Sequence, residues 1–409
     1  MQNVQAPATL ICAACMLVAP ASCARHVDET GGSLTPAVGN SAIEFAQIDQ
    51  EKDQFDCDST PRAIWRVRRD VSADSIRARL ANDIHVWRQG NELTFATEEN
   101  ATSVELQGGL QYPMSRIRGS NLWVITLRVA GLDSAVVSYF FLPIGPDVPI
   151  RSYRPTIWRG PLAPVASLSS TVLHGRVIVD SVADRAPAQR RPIVVYIPPA
   201  PSRPEDVVYL GDGASVRSLA TTIDTLIAAG VMPPVMLVGI VSAPLTPSAA
   251  SGRDPRAAEY LWNYVPDNSR FIAHERLWLD EVMPLAETKY GAPKTRQSRA
   301  VWGISNSAAW AIEMGLRHPD LVGSVLAFSP GGEAGRINPG ASFKPAVRFY
   351  LLGGTLEPDF NRSARIWRDT LSGRGETVLL REPVAGHDFG VWRDYFPRAV
   401  AWAFGRGAE

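Results

Sequence analysis

The sharpest chemical feature of the sequence is Gly303-Ile304-Ser305-Asn306-Ser307. It follows the apolar run Ala300-Val301-Trp302 and opens a helical stretch that runs through Arg317. A serine on a tight strand-to-helix turn has its hydroxyl lifted above the sheet, which is the setting of a nucleophile elbow. Gly303 would keep the crossing close, and the amide after the serine, on Asn306, would point to where an oxyanion forms. Ser307 stands where this pattern usually has glycine, so its Cβ is expected to crowd the turn and its loss to leave activity equal or higher. Ser329, in Phe328-Ser329-Pro330, also ends a strand but lacks the leading glycine and the following helix, and reads as structural.

A serine nucleophile needs a base, and the chain has six histidines. His26 lies in a polar spacer, His85 among short strands, His174 at the start of a strand, His274 in a helical stretch and His318 at a helix end. His387, in Ala385-Gly386-His387-Asp388-Phe389, sits between the last strand and the last helix, where an α/β-hydrolase carries its catalytic imidazole. An acid should follow a strand between Ser305 and His387. Glu357, after Leu351-Leu352-Gly353-Gly354-Thr355-Leu356, fits best; Asp359 is its main competitor, and Asp388 neighbours the histidine. A second oxyanion donor is expected in Gly211-Asp212-Gly213-Ala214, the loop after an earlier strand.

The elements that must hold these residues begin near residue 170. Strand-like runs at 176–179, 193–197, 207–210, 235–241, 300–304, 324–328, 347–352 and 377–380 alternate with helical stretches near 216–229, 271–289, 361–373 and 389–404. That alternation predicts a mostly parallel sheet covered on both faces. From about 60 to 160 the runs are short and alternating, at 92–97, 103–107, 122–129 and 136–142, and predict a small β-sandwich. Residues 151–167, rich in Pro, Arg and Ser, read as a linker, so the portion from about 168 onward is expected to fold alone.

The N-terminus reads as a leader over residues 1–23, followed by a flexible spacer over 24–58. Ala19-Pro20-Ala21 offers an A-x-A cleavage site, and Ala21-Ser22-Cys23 resembles the end of a lipobox, which would lipidate Cys23 and tether the chain to a membrane there. The expectation is an exported protein, periplasmic or secreted, or a lipoprotein. Cys12, Cys15 and Cys23 precede Cys57, so a disulfide scaffold is excluded, and Cys12-Ala13-Ala14-Cys15 lacks a second pair to hold a metal. Lys+Arg and Asp+Glu are both 41, so no net basic field speaks for nucleic acid. With 45% hydrophobic residues, 409 residues can bury a sizeable core, and at about 150 residues per domain they suggest two or three domains.

These motifs together resemble the enterochelin-esterase (esterase D-like) family. The resemblance rests on Tyr209-Leu210-Gly211-Asp212-Gly213, Pro234 to Ile240, Arg256-Ala257-Ala258-Glu259-Tyr260, Gly303-Ile304-Ser305, His318-Pro319-Asp320, Phe328-Ser329-Pro330 and Gly386-His387-Asp388-Phe389 with Trp392. It covers most of 170–405. It departs at Ser307, which replaces glycine, and at Gly211, which replaces a bulkier residue. The resemblance implies an α/β-hydrolase domain over 168–409, preceded at 59–160 by an immunoglobulin-like β-sandwich. It implies Ser305 as nucleophile, His387 as base, Glu357 as acid, and the amides of Asn306 and Ala214 as the oxyanion hole, with no cofactor and no metal. The implied partner is a small-molecule ester, a catecholate siderophore trilactone among the candidates. Antigen-85-type mycolyltransferases and some feruloyl esterases share the catalytic fold, so an acyltransferase with the same residues is the alternative. A non-catalytic glycan- or partner-binding protein is another.

Overall fold

A computed structural model describes residues 63–405 apart from 147, 150–152, 168, 171, 186–187 and 243–253. The leader, with Cys23, and the spacer lie outside the described residues. The chain divides into two compact units. One runs to Pro164 and takes in Val384–Asp388, and the other comprises Val165–Pro383 and Phe389 onward. The portion expected to be one continuous domain from 168 is therefore interrupted, and the interruption carries His387.

The first unit contains β1 (Ile64–Val67), α1 (Ala73–Leu80), β2 (Val86–Gln89), β3 (Glu92–Glu98), β4 (Ser103–Gly108), β5 (Tyr112–Pro113), β6 (Ser115–Arg116), β7 (Leu122–Val129), β8 (Val136–Ile144) and β9 (Thr156–Arg159). They form two antiparallel sheets, in the orders β1-β7-β3-β2, with β6 on β7, and β5-β4-β8-β9. Phe95 of β3 meets Tyr139 of β8 edge to face, with ring centroids 5.1 Å apart, so the apolar faces of the two sheets share a core. Helix α1 has no counterpart in the sequence reading. Ile76 is its buried residue, and the Ser72 hydroxyl caps it by accepting from the Ser75 N–H at 3.2 Å. Ala73 and Leu80 pack beside Ile76 only partly buried, so the apolar stripe of this eight-residue helix is short and weak.

The second unit contains β10 (Arg176–Arg185), β11 (Ala188–Ile197), β12 (Asp206–Leu210), α2 (Val216–Ala228), β13 (Val235–Ile240), α3 (Pro255–Tyr260), α4 (Ser269–Leu277), α5 (Met283–Lys289), β14 (Arg299–Ile304), α6 (Asn306–Arg317), β15 (Ser324–Phe328), β16 (Arg348–Leu352), α7 (Pro358–Ser372), β17 (Thr377–Arg381) and α8 (Phe389–Ala403). Its sheet has eight strands in the order β10-β11-β13-β12-β14-β15-β16-β17. It is mixed: β10, β11 and β13 pair antiparallel, and β13 through β17 pair parallel. The side-chain period of two sends Val208, Leu210, Trp302, Leu326 and Phe328 to one face, under α2 and α8. Tyr209, Val301, Val325, Phe349 and Leu351 go to the other face, under α4 to α7. The helix expected over 271–289 is broken by a wide turn at Trp278–Val282, where the Met283 N–H reaches back to the Trp278 carbonyl. Pro284 has no N–H to give the carbonyl four residues earlier, which accounts for the widening.

Glu313 of α6 is buried, with its Oε1 accepting from Asn338 Nδ2 at 2.7 Å. The nearby charges are spent on each other, since Arg317 grips Glu275 through both carboxylate oxygens. Burial raises the Glu313 pKa from 4.5 to about 7, against the smaller lowering by Asn338. A carboxyl that holds its proton more tightly when folded contributes stability that is complete below the unfolded value and is lost as pH rises through the folded one. Glu313→Gln keeps the shape and the amide partner. The thermal midpoint of the wild type should therefore fall relative to this variant between pH 5 and pH 8. Midpoint curves that run parallel across that range would refute the assignment.

Candidate active site

Parallel register sets the floor of the site. Leu210 of β12 pairs with Trp302 of β14, Ile304 with Phe328 of β15, Phe328 with Leu352 of β16, and Leu352 with Arg381 of β17. The residues that follow β14, β15 and β16 (Ser305, Ser329 and Gly353) thus emerge level with one another, and Gly211 leaves β12 beside them. The carboxyl ends of parallel strands are where open α/β sheets receive ligands. Backbone bonds carry the alignment past the strand ends. The Ser305 N–H donates to the Phe328 carbonyl at 3.0 Å, the Ser329 N–H to Leu352 at 2.6 Å and the Gly211 N–H to Trp302 at 3.0 Å.

Ser305 is the single residue between β14 and α6, with φ 54° and ψ −122°. Such a conformation costs an L-residue about 1–3 kcal/mol and persists only where its surroundings impose it. They do so here: the Ser305 carbonyl accepts from the N–H groups of Ala308 and Gly331, both at 3.0 Å. Asn306 begins α6, so its amide has no acceptor within the helix. A Cβ on Gly303 would collide with the Ser307 carbonyl, so only glycine allows this crossing. Ala214 lies on the short turn Gly213–Ser215 after β12 and is exposed.

Ser307 does not crowd the elbow as expected. It is fully buried, and its hydroxyl accepts from the Ile304 N–H at 2.8 Å and meets Asp212 Oδ2 at 2.6 Å. The space for its Cβ comes from Gly211, 96 positions earlier in the chain, which no local pattern reveals.

Glu357 is buried at the start of α7. Its Oε1 accepts from the Gly354 N–H at 2.7 Å and from the Ser329 hydroxyl at 2.6 Å. Ser329 in turn accepts from Trp392 Nε1 at 3.0 Å. The serine read as merely structural thus touches the candidate acid; its signal in the sequence is only its place after the strand next to the elbow strand. Asp359, the competing acid, is mostly exposed and accepts from Arg362 at 2.7 Å. Asp388 is buried beside Gly109.

The other histidines among the described residues have structural partners. His85 Nδ1 bonds to the Ala96 carbonyl at 3.2 Å, His174 to Asp224 at 3.0 Å and His318 to Glu275 at 2.9 Å. His274 accepts from Trp278 Nε1 at 3.1 Å, and burial lowers its pKa to about 4, so it stays neutral. His387 lies in the segment that belongs to the first unit. There its N–H donates to the Gly109 carbonyl at 3.2 Å, the Val136 N–H donates to the Val384 carbonyl at 2.9 Å, and Ala385 bridges in parallel to Val136. A Cβ on Gly386 would collide with the Gly109 carbonyl, so this path requires glycine. Among the described residues no group of three or more His, Cys, Asp or Glu is placed to hold a metal ion.

The Esterase family model matches residues 185–403, more than half of the chain. The chain belongs to this family and is a carboxylic ester hydrolase. Among solved structures it is similar to the enterobactin esterase from Shigella flexneri. In the presence of 2,3-dihydroxy-N-benzoyl-serine the match has a TM-score of 0.60 at 17% identity, covering 80% of this chain and 98% of that one. In the presence of enterobactin it has a TM-score of 0.61 at 17% identity, covering 82% and 98%. The ferric enterobactin esterase from Salmonella typhimurium matches with a TM-score of 0.59 at 14% identity, covering 78% and 96%. At such identities the likeness is one of fold.

Removing residues 1–164 would strip Val384–Asp388 of the Gly109 and Val136 backbone. A fragment from residue 168 onward is therefore expected to lose its esterase activity even where circular dichroism finds its helices and sheet in place. Full specific activity in that fragment would mean that the segment holds itself.

Proposed function

We propose that the protein hydrolyses carboxylic esters through Ser305, His387 and Glu357 by way of an acyl-enzyme. Ser305 Oγ attacks the ester carbonyl while His387 takes its proton, and the amides of Asn306 and Ala214 receive the oxyanion. Collapse expels the alcohol, which takes the proton back from His387. Water, with His387 again as base, then attacks the acyl-enzyme, releasing the acid and restoring Ser305. Glu357 orients the imidazole and supports its positive charge. The observation that carries this reading is the backbone of Ser305, held at φ 54° between a central parallel strand and a helix. The burial of Glu357 and the outward pairing of Asp359 support the choice of acid.

The similar solved structures are enterobactin esterases, which makes a catecholate siderophore trilactone the first substrate to test. The reading keeps the immunoglobulin-like assignment of the first unit, which its two antiparallel sheets support. It also keeps the export expected from the leader.

Ser305→Ala and His387→Ala should each lower kcat by about three orders of magnitude or more, and the double variant should be hardly worse than either. Glu357→Gln should cost less, and Asp359→Asn should cost little. Measured on aryl esters and a ferric catecholate trilactone, with fluorophosphonate labelling of Ser305 as the check on the nucleophile, full activity in Ser305→Ala would sink the mechanism. A crippled Asp359→Asn beside a mild Glu357→Gln would reassign only the acid.

A further inference from the structure

Two departures from the resembled family pattern, Ser307 for glycine and Gly211 for a bulkier residue, lie against each other. A Cβ on Gly211 would sit 2.8 Å from the Ser307 Cβ and 3.1 Å from the Trp310 ring. Side-chain volume at position 307 thus requires its absence at position 211. The hydroxyl that comes with this volume is fully used. It accepts from the Ile304 N–H at 2.8 Å and has Asp212 Oδ2 at 2.6 Å and the Ile304 carbonyl at 2.9 Å. One proton serves one strong bond, and the nearer, charged oxygen of Asp212 takes it. Arg256 holds Asp212 from another side, with Nε 3.0 Å from Oδ1 and Nη2 2.7 Å from Oδ2. Ser307 directly follows Asn306, and Asp212 stands two residues before Ala214. The Ser307–Asp212 bond therefore joins the two backbone segments whose amides are assigned to the oxyanion.

We propose that Ser307 is a positioning residue: its hydroxyl is a strut from the elbow to the β12 loop that fixes the spacing of the Asn306 and Ala214 amides, and Gly211 is the vacancy that admits it. This rests on the oxyanion assignment made above, and it reverses the expectation that Ser307 is dispensable. A transition-state oxyanion feels donor spacing more acutely than a ground-state carbonyl does, so the cost of losing the strut belongs to kcat.

Ser307→Ala keeps the Cβ and removes only the hydroxyl, while Arg256 still neutralises Asp212. Its kcat should fall by about ten- to hundredfold, with KM within about twofold of the wild type. The affinity for a trifluoromethyl ketone, which forms a tetrahedral adduct on the serine, should fall by the same factor as kcat/KM. Gly211→Ala should lower the thermal midpoint, and adding Ser307→Gly should recover part of that loss but not kcat, because the Cβ clash is relieved while the strut and its buried bonds stay lost. The paired variant keeps the test open if Ser307→Ala fails to fold. Wild-type kcat in folded Ser307→Ala or in the paired variant, with Ser305→Ala inactive, overturns the strut and leaves the mechanism standing. Activity surviving in Ser305→Ala overturns the mechanism beneath it.

Discussion

The close crossing of α6 over β14 is the constraint on which the candidate site depends. Residue 303 cannot carry a Cβ without striking the Ser307 carbonyl, so the helix starts almost on top of the strand it follows. The chain has one residue, Ser305, in which to turn from extended to helical, and it makes the turn through a positive φ. A wider crossing would leave room for a relaxed loop and a mobile serine. The strain is held by ordinary backbone bonds with Phe328, Ala308 and Gly331, so strand, helix and following loop together fix the serine's backbone. Level strand ends matter for the same reason: Ser329 and the turn before Glu357 leave the sheet beside Ser305 because β14, β15 and β16 are in register.

What was legible in the sequence was what is local. The parallel strands show as apolar, β-branched runs because both of their faces are covered. The elbow shows because glycine, serine and a following helix lie within a few residues of one another. His387 stands out in the sequence by its place between the last strand and the last helix. What escaped is what joins distant residues or is too short to stand out. Helix α1 has eight residues and a weak stripe of Ala73, Ile76 and Leu80, and the wide turn at Trp278–Val282 depends on one missing N–H. Ser307 and Gly211 each depart from the resembled pattern. That each is the reason for the other depends on a contact that only the folded chain makes.

The segment Val384–Asp388 belongs with the first unit, although the chain on either side of it belongs to the second. A β-sandwich ahead of a catalytic domain invites reading as an accessory module, joined by a linker and free to be removed. Yet the backbone partners of His387 and Val384 are Gly109 and Val136, and position 386 must be glycine to follow that path. Interdomain linkers are placed where few contacts cross. Here the chain enters the first unit for five residues, with a histidine among them, and then returns to form α8.

Two buried carboxylates stand at the carboxyl edge of the sheet, each bonded to a serine hydroxyl. Asp212 and Glu357 both accept from a serine hydroxyl at 2.6 Å, from Ser307 and Ser329 respectively. Asp212 is also clasped by the Arg256 guanidinium through both of its oxygens, so its charge is matched where it lies and serves to anchor the loop. Glu357 Oε1 accepts from a backbone N–H and a hydroxyl, two neutral donors. Neutral donors fix a carboxylate's direction without cancelling its charge, whereas a guanidinium does both. On the proposed reading, the pairing of Arg256 with Asp212 and of Ser329 with Glu357 is thus a division of labour between an anchor and an acid, made from the same hydroxyl-to-carboxylate bond.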